Sequence, residues 1–423
     1  MQMIYSSDPL SSLPVLFDIL ERYSVLSGYK LNHQKSQLFP INSLAGDLPH
    51  SIAPFEWAET GFRYLGVFIC ASLPNMMNKN FSSLLEGVDK DLDRWSLLPL
   101  SLMGRVNLIK MVVFPKFLYL FQHVPILTTK AFFDKLDKKV SHFLWGKKPA
   151  RLRKSVLQSP KCEGGLALPN FRQYYWAANI QKLLYWMCDD NDALPVWVQM
   201  EKASSHYSLS SVLCSQLPLS FSLAENNPIV KGTLAIWSQC RKHFGLHGSS
   251  VLTPLFKNCN FMPSVTDSAF HVWRSKGIKN VKDLYSNNVF SSLAELSLKY
   301  QLPNSHLFRF FQTRDYVKKQ FPHFPNRPPE TRLDILLAID PQRKKCTSVL
   351  YNTLAENISR STSFIETAWE GELNMNVSEE QWGAALTLVH SSSICARHAL
   401  IQCKILYKVH YTNAKLSNVL GLF

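Results

Sequence analysis

Residues 143–176 read FLWGKKPARLRKSVLQSPKCEGGLALPNFRQYYW. A tryptophan and a glycine close one apolar run. Five basic residues follow within eight positions (Lys147, Lys148, Arg151, Arg153 and Lys154), and Lys161 extends the stretch. Gly164-Gly165 and Pro169-Asn170 are turn signals, and Tyr174-Tyr175-Trp176 opens a second apolar segment. No Asp or Glu stands between Asp137 and Glu163, so nothing nearby in sequence neutralises the loop. The stretch predicts two helices joined by a glycine-bounded basic loop. Lys and Arg on such a loop can lie along a phosphate backbone, and adjacent Tyr and Trp can stack on bases or sugars. The plainer alternative is a solvated loop beside a core helix. Tyr174, Ala177, Ala178 and Gln181 cannot all face one way, so much of the aromatic content is expected in the core.

The charge continues outward from this stretch. Lys130 to Lys161 holds ten Lys or Arg against Asp134 and Asp137, a local balance of +8 and about half of the +15 carried by all 423 residues. That balance favours a polyanionic partner, with RNA, an RNA–DNA hybrid or DNA ahead of a membrane surface. At 46% hydrophobic and 18% charged, the chain has apolar mass for real cores and room for two or three domains. Nine scattered cysteines form no tight framework, which suggests reduced thiols in an intracellular protein, nuclear or cytoplasmic. The N-terminal MQMIYSSDPL lacks a basic n-region and an apolar core, so a secreted protein is not expected. The longest uncharged stretch, Ala203 to Ala224, contains eight serines and a proline and reads as a linker, not a membrane span. The oligomeric state is left open.

Residues 12–27 have helical apolar spacing at Leu13, Leu16, Phe17 and Leu20, with Gly28 closing the end. The runs 29–39 and 62–70 read as strands. Helices are expected over 79–96, 101–114, 128–145 and 169–188, separated by Pro115, Pro125 and the 146–168 loop. Further helices are expected over 281–300, 304–320, 343–359 and 380–410, with a proline-rich joint at 321–329. The fold class is therefore mainly α with a small N-terminal α+β part.

Near the C-terminus, Arg397, Lys404, Lys408 and Lys415 fall within an arc of about 40° on a continuous helix, a binding stripe or an ordinary wet face. Cys395, His398, Cys403 and His410 resemble a zinc knuckle in spacing, but a straight helix cannot close four ligands on one ion, so no metal is expected there. Asp189-Asp190 and the pair Asp91 and Asp93 are weak candidates for catalytic carboxylates. The first pair ends an apolar helix, and the second points to two helix faces. No GxSxG, P-loop, GxGxxG or HExxH motif is present.

Several stretches together carry a family likeness. LSGYKLNHQKS (26–36), FRYLG (62–66), LPLSLMGRVNLIKMVVFP (98–115), FLW (143–145) and GGLALPNFR (164–172) closely resemble non-LTR (LINE-type) retrotransposon reverse transcriptases, in order and spacing. LFRFFQTRD (307–315) and CARH (395–398) through Lys415 resemble the C-terminal region of the same polyprotein. The likeness implies a layout: 1–75, the end of the polymerase palm; 76–145, helical thumb; 146–200, basic loop and aromatic helix; 201–423, helical C-terminal region stopping before the zinc knuckle. Lys30, Asn32 and Lys35 would belong to motif D, and Tyr64, Leu65 and Gly66 to the primer grip of motif E. The catalytic Tyr-x-Asp-Asp would fall just before Ile4-Tyr5, where Met1-Gln2-Met3 stands instead, so no catalytic residue is expected. The parent enzyme would use Mg2+, and this chain is expected to hold no cofactor. Charge and layout together nominate Arg105, Lys110, Lys147, Lys148, Arg151, Arg153, Lys154, Arg397, Lys404 and Lys408 as nucleic-acid contacts. Three readings stay open here: an inactive relic of a polymerase gene, a retained sequence-tolerant nucleic-acid-binding protein, and an enzyme with its site elsewhere. The missing carboxylates weigh against the third.

Overall fold

A computed structural model describes residues 3–124, 126–189, 194–215, 227–355, 363–391, 393 and 395–410. The chain is mainly helical and divides into two compact units, Met1–Gly87 and Val88–Phe423. No helix among the described residues is long and apolar enough to cross a membrane.

In the first unit, α1 (Pro9–Ser27) starts where the Asp8 side chain caps it and stops where Gly28 turns left-handed at φ 72°. The expected strand over 29–39 is mostly absent. Asn32 accepts from the Lys35 N–H at 3.1 Å and holds a 3-10 turn over His33–Lys35. Only β1 (Gln37–Leu38) remains, parallel to β2 (Glu56–Trp57), with the helical turn α2 (Ser43–Gly46) between them. The 62–70 run is a hairpin, β3 (Phe62–Tyr64) antiparallel to β4 (Val67–Ile69). Its two turn residues, Leu65 and Gly66, have φ of 46° and 85°, the paired positive values of a type I′ turn. After α3 (Leu73–Met77) comes a π turn over Asn78–Ser82. The buried Asn80 side chain accepts from the Phe68 N–H and donates to the Phe68 carbonyl, both at 2.8 Å, which ties the hairpin to the helix. The boundary between units falls within α4 (Ser83–Ser96).

In the second unit, α5 (Leu102–Leu108) and α6 (Phe114–His123) are joined by a π turn over Ile109–Val113 into one uninterrupted rod. Pro115 was expected to end a helix there. It does not, because the π turn, closed by the Phe114 N–H on the Ile109 carbonyl, widens the backbone just ahead of Pro115 and accommodates its ring and missing N–H. α7 (Lys130–Trp145) buries Phe132, Phe133, Leu136, Val140, Phe143 and Leu144. The short α8 (Lys154–Gln158) precedes α9 (Phe171–Met187), which Asn170 caps. α9 is buried on nearly every side, as an apolar helix without a polar face must be.

Next come α10 (Val196–Ala203), α11 (Leu209–Cys214) and α12 (Pro228–Phe244), all packed on α9. The serine-rich stretch therefore differs from the expected linker: Ser211, Leu213 and Cys214 are fully buried, while residues 216–226 lie outside the described residues. α13 (Pro263–Thr266), α14 (Ala269–Ser275), α15 (Leu293–Tyr300) and α16 (Leu307–Gln320) surround a separate core that includes Phe270, Trp273, Phe310 and Tyr316. The helix expected over 281–300 is interrupted by β5 (Tyr285–Ser286) and β6 (Val289–Phe290). Asn287 and Asn288 turn between them at φ 51° and 63°, values that asparagine tolerates and a helix does not. The proline-rich joint carries a cis Phe324-Pro325 bond. α17 (Arg332–Leu337) leads to α18 (Cys346–Ala355), which returns to α9. Finally α19 (Ser363–Leu373), α20 (Glu379–Ser391) and α21 (Ala396–Leu406) build a third core with Val156, so the 380–410 helix is two helices.

Candidate nucleic-acid interface

α7 carries the basic loop's first anchor. Gly146 and Lys147 both turn left-handed, at φ 59° and 63°, and the Lys147 N–H closes on the His142 carbonyl at 2.9 Å. Arg105 caps the same helix end, donating to the Phe143 carbonyl at 2.5 Å with its guanidinium 5.5 Å from the Phe143 ring. Arg105 therefore has a structural partner. Lys110, half-buried on the rod, is held below the usual lysine range, first by burial and then by the neighbouring Lys161 cation.

Three of the ten cations between 130 and 161 are matched by carboxylates: Lys130 with Asp134 at 2.6 Å, Lys139 with Asp89, and Lys154 with Asp137. Arg151 donates to the Val409 carbonyl, and Arg153 lies 4.7 Å from the Phe364 ring. Lys135, Lys138, Lys147, Lys148 and Lys161 are exposed and make no ion pair among the described residues. On α7, Lys135, Lys138 and His142 share an arc of about 60°, and Lys147 and Lys148 follow past the left-handed turn at the helix end. The exposed, unpaired lysines thus lie on α7 and on the loop that follows it.

The glycines and aromatics of the opening stretch serve packing. A Cβ on Gly164, whose φ is 79°, would stand 2.6 Å from the Leu386 side chain, and one on Gly165 would stand 2.0 Å from the Ser159 carbonyl oxygen. The Tyr407 hydroxyl donates to the Gly164 carbonyl at 3.2 Å, so this turn is the seat of α20 and α21. Tyr175 and Trp176 are fully buried. The Tyr175 hydroxyl donates to Ile126 at 2.8 Å and accepts from the Thr128 N–H at 3.0 Å, while burial pushes its pKa up. Tyr174 stacks on Tyr351 at 3.9 Å. None of the three rings is presented to a base.

The C-terminal stripe is also interrupted. Arg397 is exposed and Lys404 half-exposed on α21. Lys408 lies past the helix end at φ 52°, where its ammonium donates to the Ala368 carbonyl at 2.7 Å and pairs with Glu372 at 2.9 Å. Lys415 is outside the described residues. The left-handed turn at Lys408 breaks the helical phase that would align all four. Cys395 and His398 are exposed while Cys403 is buried in the third core, so α21 turns these side chains in different directions. No group of three or more His, Cys, Asp or Glu side chains converges as a metal site among the described residues.

Asp189 pairs with Lys279, and its neighbour Asp190 is outside the described residues. Asp91 pairs with Lys116 at 3.2 Å and Arg94 at 3.1 Å. Asp91 and Asp189 are thus engaged with cations in ion pairs, and Asp93 is exposed. In the first unit, Lys30 and Lys35 are exposed, and Tyr64, Leu65 and Gly66 form the end of the β3–β4 hairpin. The residue-by-residue reading missed Lys135, Lys138 and Lys161 as site members, although the 130–161 charge count already contained them. No protein-family model matches the chain.

Proposed function

We propose that this chain corresponds to the end of the palm, the thumb and the C-terminal region of a non-LTR retrotransposon reverse transcriptase, and that its role is to hold RNA, an RNA–DNA hybrid or DNA without sequence preference. The resemblance of its stretches in order and spacing supports the family reading. The observation that carries the binding reading is the set of five lysines on α7 and its loop with no carboxylate partner among the described residues. Like charges held together repel one another, and a phosphate backbone relieves that repulsion while releasing its own counterions. In this reading the chain as it stands is not a polymerase. Nucleotide transfer needs paired carboxylates to hold two metal ions, and Asp91 and Asp189 are occupied by lysine and arginine. In the parent enzyme, Mg2+ would activate the primer oxygen and stabilise the departing pyrophosphate.

A salt titration of binding tests this. Five phosphate contacts predict a slope of log affinity on log salt of about −4.5 for duplex. Changing Lys135, Lys138, Lys147, Lys148 and Lys161 together to Gln should flatten that slope markedly. Substituting the same number of lysines and arginines at 318, 319, 343, 344 and 345 should change it far less. Equal loss in both variants would mean a diffuse charge effect and no interface on α7.

A further inference from the structure

We propose that the outer face of α16 is a second contact, a stacking platform for single-stranded nucleic acid. The inner face of this helix supplies Phe310, Thr313, Tyr316 and Val317 to the core. The outer face leaves two aromatic rings in water: Phe308 is 70% exposed and Phe311 42% exposed. With Leu307, 47% exposed, they form a contiguous apolar patch rather than scattered single residues. Arg314 holds its guanidinium 4.9 Å from the Phe311 ring, and neither Arg314 nor Lys318 makes an ion pair among the described residues.

The frame beneath this face is firm. Arg309 donates to both oxygens of Asp267, at 2.7 and 3.3 Å, which locks α16 to the segment following α13. Phe308, Met262, Thr266 and Gln312 border a shallow cleft along that seam. Phe308 and Phe311 stand one turn apart on one face, about 5–6 Å between their Cβ atoms.

Charge decides the kind of partner. The carboxylates beside the rings, Asp267 and Asp315, are already paired with Arg309 and Lys319, so the remaining field is positive. Aromatic faces flanked by unpaired cations suit a strand whose bases stack while its phosphates meet Arg and Lys. A duplex does not fit, because its bases are stacked on one another and withheld from the rings. This contact is separate from the lysines of α7 and does not depend on them.

The test uses the full chain, a short oligouridine and a duplex of equal length at one salt concentration. Replacing Phe308 and Phe311 together by Ala should lower single-strand affinity by about tenfold or more and leave duplex affinity within about twofold. Phe308→Trp should retain wild-type single-strand affinity, because a larger ring still stacks. Lys147→Gln with Lys148→Gln should show the opposite pattern, with the duplex affected more. An iodouridine-bearing strand should crosslink within Leu307–Phe311. Wild-type single-strand affinity in the double Ala variant would overturn the proposal, as would crosslinks confined to α7. Binding of an acidic amphipathic peptide that depends on Phe308, with single-strand affinity unchanged, would assign the face to a protein and overturn it too. Duplex affinity unchanged by the α7 and loop substitutions, with this single-strand pattern intact, would sink the proposed function alone.

Discussion

Asp334 is 3% exposed, and its carboxylate accepts four hydrogen bonds. One oxygen takes the Ser250 hydroxyl at 2.5 Å and the Val251 N–H at 3.1 Å, and the other takes the Thr331 N–H at 2.8 Å and its hydroxyl at 2.5 Å. This side chain joins the loop after α12 to the start of α17, just before the chain returns to α9. Asp334→Ala removes both acceptor oxygens and with them all four hydrogen bonds. The two hydroxyls can rotate toward other partners, but the amides of Val251 and Thr331 cannot. An orphaned buried N–H costs about 1–3 kcal/mol, so the variant should lose about 3–4 kcal/mol of unfolding free energy. Asp334→Asn keeps one acceptor oxygen and should lose about half as much. Urea unfolding followed by tryptophan fluorescence measures both values, since Trp237 and Trp273 are fully buried. Hydrogen exchange at Val251 and Thr331 should quicken in the Ala variant. An Ala variant within about 1 kcal/mol of wild type, with unchanged exchange at those amides, would refute the reasoning.

Lys182 points its ammonium toward the Phe121 carbonyl at 3.4 Å, and burial lowers its pKa to about 8, partly opposed by Glu201. Since the folded value lies below the unfolded one, the unfolded chain holds more protons between the two, and this group's penalty shrinks as pH rises from about 8 to 10.5. Lys182→Met should therefore be more stable than wild type at pH 7, by up to about 3 kcal/mol, with the difference narrowing over that window. Buried thiols and phenols titrate alike in both proteins and cancel; a difference independent of pH would contradict the assignment. Gly164→Ala should loosen α20 and α21, because it adds about 1–2 kcal/mol of left-handed strain and a clash with Leu386. Limited proteolysis within 363–410 would then accelerate, and an unchanged rate would show that the turn has slack. Primer extension on a primed RNA template with Mg2+ or Mn2+ should stay at background, and extension that vanishes when Asp189 becomes Asn would overturn the non-catalytic reading.

Much of the fold was legible because its signals are local. Apolar spacing with Gly28 at one end outlined α1, and Thr129 and Gly146 bracket α7 as a cap and a left-handed stop. α12 was missed although Asn227-Pro228 and the Val230, Leu234, Trp237 spacing announce it. Pro115 and the 281–300 run misled because a π turn and an Asn-Asn hairpin change the local rule without changing composition.

The sequence by itself determined that the chain is mainly helical and that positive charge concentrates between 130 and 161, since periodicity and charge count are properties of neighbours along the chain. Only the tertiary structure decided which cations remain exposed. Lys139 meets Asp89 fifty positions away, Arg151 meets Val409, and Lys408 meets Glu372. It also decided that the Tyr-Tyr-Trp run is core and that Phe308 and Phe311 are not. The physical reason is that a helix exposes whichever face nothing else covers, and α9 is covered by α6, α10, α11, α12 and α18, of which α6, α12 and α18 are distant in sequence.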